Sequence, residues 1–469
     1  MNAHNKVSIL ACLALMPLAF VRAQSPQPVE PPAPGAPREF RLPQPTKVRL
    51  DNGLRATLVE YGSLPKVTVQ LVVRSGELNG GDRTGLAGFT GELMQEGTQQ
   101  HSASEIADLA AALGGQVSVN VNLDTTTIAG DVLAENAPQL IALIGEIARM
   151  PALPEAETER IRSDLLRSLG VAKSQAQSQA REAFVRQVYG AEHPYGRLFP
   201  TEEQLASYSA ADARAFHAGN FGAQRSHLYV AGKFAPAAVS AAIEAAFGAW
   251  QKGPEVLLDV PPTAAKRAVV LLDRPGAPQS TLILGLPVVD PSNSNYVPLQ
   301  VMNALLGGSF GSRITANIRE DKGYTYSPRS ELANNYKVAT WAELADVTSE
   351  HTADSVAEIL AEIARLKAQP PPAAELQGIK NYMSGAFVLG NSERGSIVGV
   401  LRYMDLHGLG DDYLNTYLAR VAAVTPEEVS RLAAEYLPAD DLTLVVVGDL
   451  ATVKPQLAGL DWIGAGDLN

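Results

Sequence analysis

Leu228-Tyr229-Val230-Ala231-Gly232 and Leu444-Val445-Val446-Val447-Gly448 are two apolar runs ending in glycine, 216 residues apart. Runs this short and this apolar read as strands buried on both faces. The same offset places Glu146-Ile147-Ala148-Arg149 on Glu362-Ile363-Ala364-Arg365, and Ser209-Ala210-Ala211-Asp212 on Thr425-Pro426-Glu427-Glu428. The last pair reads as helix starts: a hydroxyl accepts from an early backbone N–H, and a carboxylate follows three residues on. Pro426 sits where a missing N–H does no harm. Three coincidences at one offset describe a domain written twice. The predicted halves span 45–251 and 267–469, joined by a linker over 252–266 that Gly253-Pro254 and Pro261-Pro262 punctuate.

Within the first half, Asp51-Asn52-Gly53 between Val48–Leu50 and Leu54–Val59 is a hairpin signal. Val67, Val69, Leu71 and Val73 alternate as a half-buried strand. Helices are predicted over 85–96, from a Ser102 cap with Glu105, over 138–150 behind an Asn136 cap, and over 155–179. The second half repeats the theme, with strands at Ala268–Leu272 and Thr281–Leu286 and helices from Tyr296. Mixed hairpins and helices predict an α+β fold: two homologous domains, each a mostly antiparallel sheet backed by helices.

Of 469 residues, 46% are hydrophobic and 19% charged, and the formal charge is −12. An acidic chain is a poor partner for nucleic acid or an anionic membrane. At the N-terminus, Lys6 precedes an apolar run from Val7 to Phe20, then Val21-Arg22-Ala23. This reads as a secretory signal peptide over 1–23, cleaved after Ala23. Losing its two cations takes the charge from −12 to −14, and the only cysteine, Cys12, goes with it. Residues 24–44 form a Pro-rich lead-in, flexible by composition. No other stretch is long and apolar enough to cross a membrane, so a periplasmic protein without a membrane span is predicted.

Gly85-Leu86-Ala87-Gly88-Phe89-Thr90-Gly91-Glu92-Leu93-Met94-Gln95-Glu96-Gly97-Thr98 follows a strand that ends Arg74-Ser75-Gly76-Glu77. This frame resembles the pitrilysin-type metallopeptidases, whose helix carries H-x-x-E-H. In that motif two histidines hold zinc and the glutamate between them is the general base. The resemblance puts the histidine positions at Gly88 and Glu92, the base at Gly91 and a further ligand position at Ser168. Glycine has no side chain, serine is a poor zinc ligand, and one carboxylate cannot hold the metal alone. No metal site is therefore expected in this chain. His193-Pro194-Tyr195-Gly196-Arg197 also matches a family segment and reads as a shaped turn rather than a catalytic histidine.

Asn303-Ala304-Leu305-Leu306-Gly307-Gly308-Ser309-Phe310-Gly311-Ser312-Arg313 leads into Ile318-Arg319-Glu320-Asp321-Lys322-Gly323-Tyr324-Thr325-Tyr326-Ser327. It is similar to the family's glycine-containing loop and the R-E-x-x-G-x-x-Y-S segment behind it. By that resemblance Arg319 and Tyr326 are the catalytic pair that reaches across to a zinc site: tyrosine donates to a developing oxyanion, arginine holds substrate. Gly307-Gly308 reads equally as a mobile substrate loop or a tight structural turn. The resemblance includes two-subunit members, such as the mitochondrial processing peptidase, in which one chain brings zinc and the other lacks it. It implies a non-zinc subunit of a heterodimeric metalloendopeptidase, inactive alone, paired with a zinc-bearing subunit around a clamshell chamber for peptides. A catalytically silent structural core, or a peptide-binding protein of the same fold, is the alternative.

Overall fold

The computed structural model describes residues 40–468 apart from 262, 264 and 265. The signal segment 1–23, most of the 24–44 lead-in and part of the 252–266 linker lie outside the described residues. The first half runs β1 (Thr46–Arg49), β2 (Arg55–Glu60), β3 (Lys66–Val73), α1 (Leu86–Met94), α2 (Ala103–Ala112), β4 (Val117–Val121) and β5 (Thr126–Leu133). It continues with α3 (Ala137–Arg149), α4 (Thr158–Ser174), α5 (Ala176–Tyr189), α6 (Glu202–Ser207), α7 (Ala210–Asn220), β6 (Ser226–Gly232) and α8 (Pro236–Phe247). The second half runs β7 (Ala268–Asp273), β8 (Gln279–Val288), α9 (Tyr296–Asn303), β9 (Arg329–Asn335), β10 (Val338–Thr348) and α10 (Thr352–Ala368). It ends with α11 (Ala373–Gly390), α12 (Arg394–His407), α13 (Tyr413–Ala423), α14 (Pro426–Tyr436), β11 (Thr443–Gly448) and α15 (Leu450–Leu457).

The two sheets have the same plan. Their orders are β1-β2-β6-β3-β5-β4 and β7-β11-β8-β10-β9. The late strands β6 and β11, which carry the repeated apolar runs, insert at the same place. Each runs parallel to its half's β2 or β7 and antiparallel to β3 or β8. Both are buried along their whole length. The paired helix starts also agree. Ser209 caps α7 in a box with Asp212, and Thr425 accepts from the Glu428 N–H at the head of α14. The fold is α+β, two sheets backed by helices.

Three local expectations change. The Asn136 side chain does not cap α3; its amide donates to the Leu113 carbonyl at 3.0 Å. The 155–179 helix is broken: a 3₁₀ turn covers Glu155–Glu157, and Gln175 is extended at φ −85, ψ 130 between α4 and α5. The third change concerns β3, which is covered on both faces rather than half-buried. Val67, Val69, Leu71 and Val73 face the α1 and α3 core, while α12 lies against β3 and β6.

The break at Gln175 has a tertiary reason. It releases α5 to pack on the other half's sheet, where Ala180, Phe184 and Val188 join Ile283, Val445 and Val447 in one apolar cluster. The equivalent helix of the second half, α12, returns the exchange by lying on the first sheet. His193, at the turn after α5, is structural as expected. Its Nε2 is 2.9 Å from the Pro261 carbonyl and its Nδ1 accepts from the Tyr195 N–H at 3.0 Å, which ties the turn to the linker.

Candidate functional site

Helix α1 is preceded by Gly85, whose φ of +86 suits glycine and which offers no side-chain cap. Glu77 supplies the missing acceptor from outside. Its two oxygens accept from the Gly85 N–H at 2.9 Å and the Gly88 N–H at 2.8 Å. Burial pushes this carboxyl up, and the two N–H groups oppose that. Leu86, Phe89 and Leu93 then anchor the helix in the core, which overrides the low helix propensity of its glycines.

The four zinc positions have different surroundings. At Gly91 a Cβ would fall under 3.0 Å from Val121 Cγ2 on β4. A general base there is thus excluded by packing as well as by sequence. At Gly88 a Cβ would meet Glu77 Oε1 at 3.3 Å. Glu92 keeps much of its surface in solvent but is partly desolvated, and that desolvation, with Glu96 and Asp164, raises its carboxyl against the pull of Arg160. Arg160 on α4 stands among these acids, bonding Glu157 at 2.8 Å, Asp164 at 3.3 Å, and Glu96. An arginine thereby ties together three of the acids beside the motif helix. Ser168 is exposed further along α4. Among the described residues no three His, Cys, Asp or Glu side chains come together as a metal-holding group.

The second candidate region lies between α9 and β9. Ala304–Gly308 forms a π-helical turn that continues α9. Gly307 is pressed against β9 and β10: a Cβ there would collide with Ser330 Oγ and the Glu343 carboxylate. Gly307 therefore belongs to a packed structural turn. Glu343 beneath it is 1% exposed, with neither oxygen meeting a hydrogen-bond partner of normal geometry, and burial holds its carboxyl well above the usual range. The chain beyond the turn then displays Phe310, 73% exposed.

A second π-helical turn over Thr315–Asp321 carries Arg319. Gly323 turns the chain at φ +70, and Thr325 pins it by donating to the Asp346 carbonyl at 2.7 Å. Tyr326 follows, 80% exposed, so it is not a tyrosine packed into the sheet. The structure brings Arg319 and Tyr326 together. The guanidinium lies 5.1 Å from the Tyr326 ring centroid and 4.3 Å from that of Phe310. Each ring offers it a cation–π contact, and Glu320 lies 3.4 Å from Arg319 Nε. Among the described residues no hydrogen bond or ion pair joins this cluster to α1 or α4. Sequence reading missed Phe310, whose signal was an aromatic side chain set between glycines, and missed the capping role of Glu77.

Comparison with known proteins follows the same division. Residues 57–199 match the family described as Insulinase (Peptidase family M16), and residues 207–383 match Peptidase M16 inactive domain. Together they cover more than half of the chain. A Bacillus subtilis protein named uncharacterized zinc protease YmxG is 24% identical over 347 residues, 72% of this chain and 82% of that protein. A Helicobacter pylori protein named non-peptidase homolog YmxG is 22% identical over 394 residues, 82% of this chain and 90% of that protein. Among solved structures, a peptidase M16 inactive domain from Pseudomonas fluorescens superposes with a TM-score of 0.79 at 22% identity, over 86% of this chain and 98% of that one. A protease from Helicobacter pylori gives 0.81 at 18%, over 87% of this chain and all of that one. With its doubled sheet plan and both halves matched, the chain belongs to peptidase family M16.

Proposed function

We propose that this chain is the zinc-free subunit of a two-subunit metalloendopeptidase, exported to the periplasm and paired with a zinc-bearing relative. One observation carries the reading: Arg319 and Tyr326 stand side by side at the surface, while the motif helix of the same chain has no ligand set. An exposed tyrosine beside a guanidinium has no evident packing role. It suits a surface that completes another chain's site, with the Tyr326 O–H donating to the oxyanion of a scissile peptide and Arg319 holding the substrate. The partner supplies the zinc and its activated water. Peptides bind in the chamber between the two subunits.

The test uses the assembled pair with its zinc-bearing chain left unchanged. Tyr326→Phe should leave assembly intact by size-exclusion chromatography and lower kcat by roughly 10²- to 10³-fold, the usual loss for one oxyanion donor. Arg319→Ala should appear chiefly in KM, because its contacts form before the transition state. If the pair cleaves peptides at full rate with both substitutions, the chain is a scaffold or a peptide-binding protein and this reading fails.

A further inference from the structure

The two exchanged helices are seated differently. Helix α5 meets the second sheet through an apolar cluster, with Arg181 bonding Glu331 and Gln177 bonding Asp346 beside it. Helix α12 meets the first sheet through polar side chains: Arg394 bonds Asp131 at 3.0 Å, Arg402 bonds Gln70 at 3.0 Å, and Asp405 takes a two-pronged bond from Arg55 at 2.6 and 3.0 Å. Beneath the C-terminal half of α12 this polar joint leaves a cavity of about 330 Å³, large enough for a residue-sized ligand. Its lining includes Arg74, Asp124, Asn334, Arg402, Asp405 and His407, with Asp405 already taken up by Arg55.

Three features of the lining are unbalanced. Among the described residues no carboxylate lies within ion-pair distance, 4.0 Å, of Arg402 or Arg74. Arg402 has only the neutral Gln70 as partner, and burial lowers its pKa. Arg74 stacks on the Tyr336 ring at 4.5 Å. The third feature is His407, 6% exposed, with Nε2 3.0 Å from Asn334 Oδ1 and Nδ1 buried without a partner. Burial holds this imidazole down at about 4, so it is neutral at pH 7. With Nε2–H donating to Asn334, Nδ1 keeps a lone pair that nothing in the protein satisfies. Asp124 accepts from the Tyr195 hydroxyl and the Tyr336 N–H, and its two oxygens retain further lone pairs.

Unpaired guanidinium groups call for an anion, and a carboxylate with spare lone pairs accepts an N–H. We propose that this cavity binds an α-amino carboxylate unit, its carboxylate held by Arg402 and Arg74 and its nitrogen donating to Asp124, with the His407 ring in the wall beside it. A free amino acid and the C-terminal residue of a peptide share this chemistry. The site is separate from the Arg319 and Tyr326 pair and requires no partner subunit, so its failure would leave the peptidase reading untouched.

The test is calorimetric titration of the mature chain at pH 7 with L-alanine, acetyl-L-alanine, L-alaninamide and acetate. At least one of the first two should bind. L-Alaninamide lacks the carboxylate and acetate lacks the N–H, so each should bind at least about tenfold more weakly. Preference for acetyl-L-alanine identifies a peptide terminus; preference for L-alanine identifies a free amino acid. Arg402→Gln should weaken binding by about tenfold or more, with partial recovery in Arg402→Lys. In the wild-type chain the His407 ring signals, assigned by their loss in His407→Gln, should shift during the titration, which tests the site even if Arg402→Gln fails to fold. Binding of L-alaninamide as tight as that of L-alanine, binding unchanged in a folded Arg402→Gln, or no His407 shift with any of the four probes would overturn the proposal.

Discussion

Gly91→Ala is the sharpest test of the claim that the motif helix is closed by packing as well as by lost ligands. Alanine in place of a helix-interior glycine gains about 1 kcal/mol from propensity alone. At Gly91 the new methyl falls under 3.0 Å from Val121 Cγ2, a separation that real Cβ atoms essentially never show. Val121 cannot simply swing away, because a β-branched side chain is stiff at χ1. Overpacking of this kind costs about 1–3 kcal/mol, so the net change should be a loss of up to about 2 kcal/mol. Gly88→Ala is the internal control. Its methyl meets only the end of the Glu77 carboxylate at 3.3 Å, so it should be neutral or stabilising by up to about 1 kcal/mol. Urea-unfolding midpoints at unchanged m-value give both numbers. Val121→Ala, costly alone, should rescue Gly91→Ala, with a coupling of about 1–2 kcal/mol in the double-mutant cycle. The same geometry predicts that His, Glu, His and Glu placed at 88, 91, 92 and 168 will not restore stoichiometric zinc while Val121 is intact. If Gly91→Ala stabilises as much as Gly88→Ala, and Val121→Ala adds no rescue, the packing account is wrong.

Other expectations follow from the buried acids. Burial alone would raise the Asp405 carboxyl, but His227 and Arg55 outweigh it and hold the group far below the ordinary range. Asp405→Asn should therefore cost about 1.5–3 kcal/mol at neutral pH. That difference should be full above about pH 4 and shrink as acid carries the pH toward the folded-state value. Glu343 has the opposite sign: its carboxyl is raised, so the folded chain holds a proton that the unfolded chain releases above about pH 4.3. Wild type should lose stability against Glu343→Gln as the pH rises above the unfolded-state value of about 4.3, and urea midpoints with no pH-dependent gap would refute this. For export, mass spectrometry of the periplasmic protein should find the mature start at Gln24; an intact Met1 would contradict it.

Much of the plan was written locally. The repeat placed β6 and β11 because an apolar run ending in glycine is legible without its neighbours. Ser102, Ser209 and Thr425 announced their helices because a cap and its partner lie within one turn. The loss of zinc ligands at Gly88, Gly91 and Ser168 is a fact of side-chain identity, and the spacing of Arg319 and Tyr326 is a fact of sequence. What tertiary structure alone decided involves residues far apart in the chain. Gln175 breaks a helix that its own sequence would continue, because α5 finds its apolar partners on the second sheet. Val121 fills the space a general base would need, from a strand about thirty residues further on. Phe310 shares its guanidinium with Tyr326 only because two turns bring them together. Among the described residues Arg402 bonds the first sheet only at Gln70, and His407 reaches back to Asn334 on β9 with Nδ1 unmatched, because α12 crosses over to the first sheet. Local pattern fixes which elements form, since capping and periodicity act within a few residues. Which side chains are closed in, paired or left wanting is set by packing between elements that no window of sequence contains.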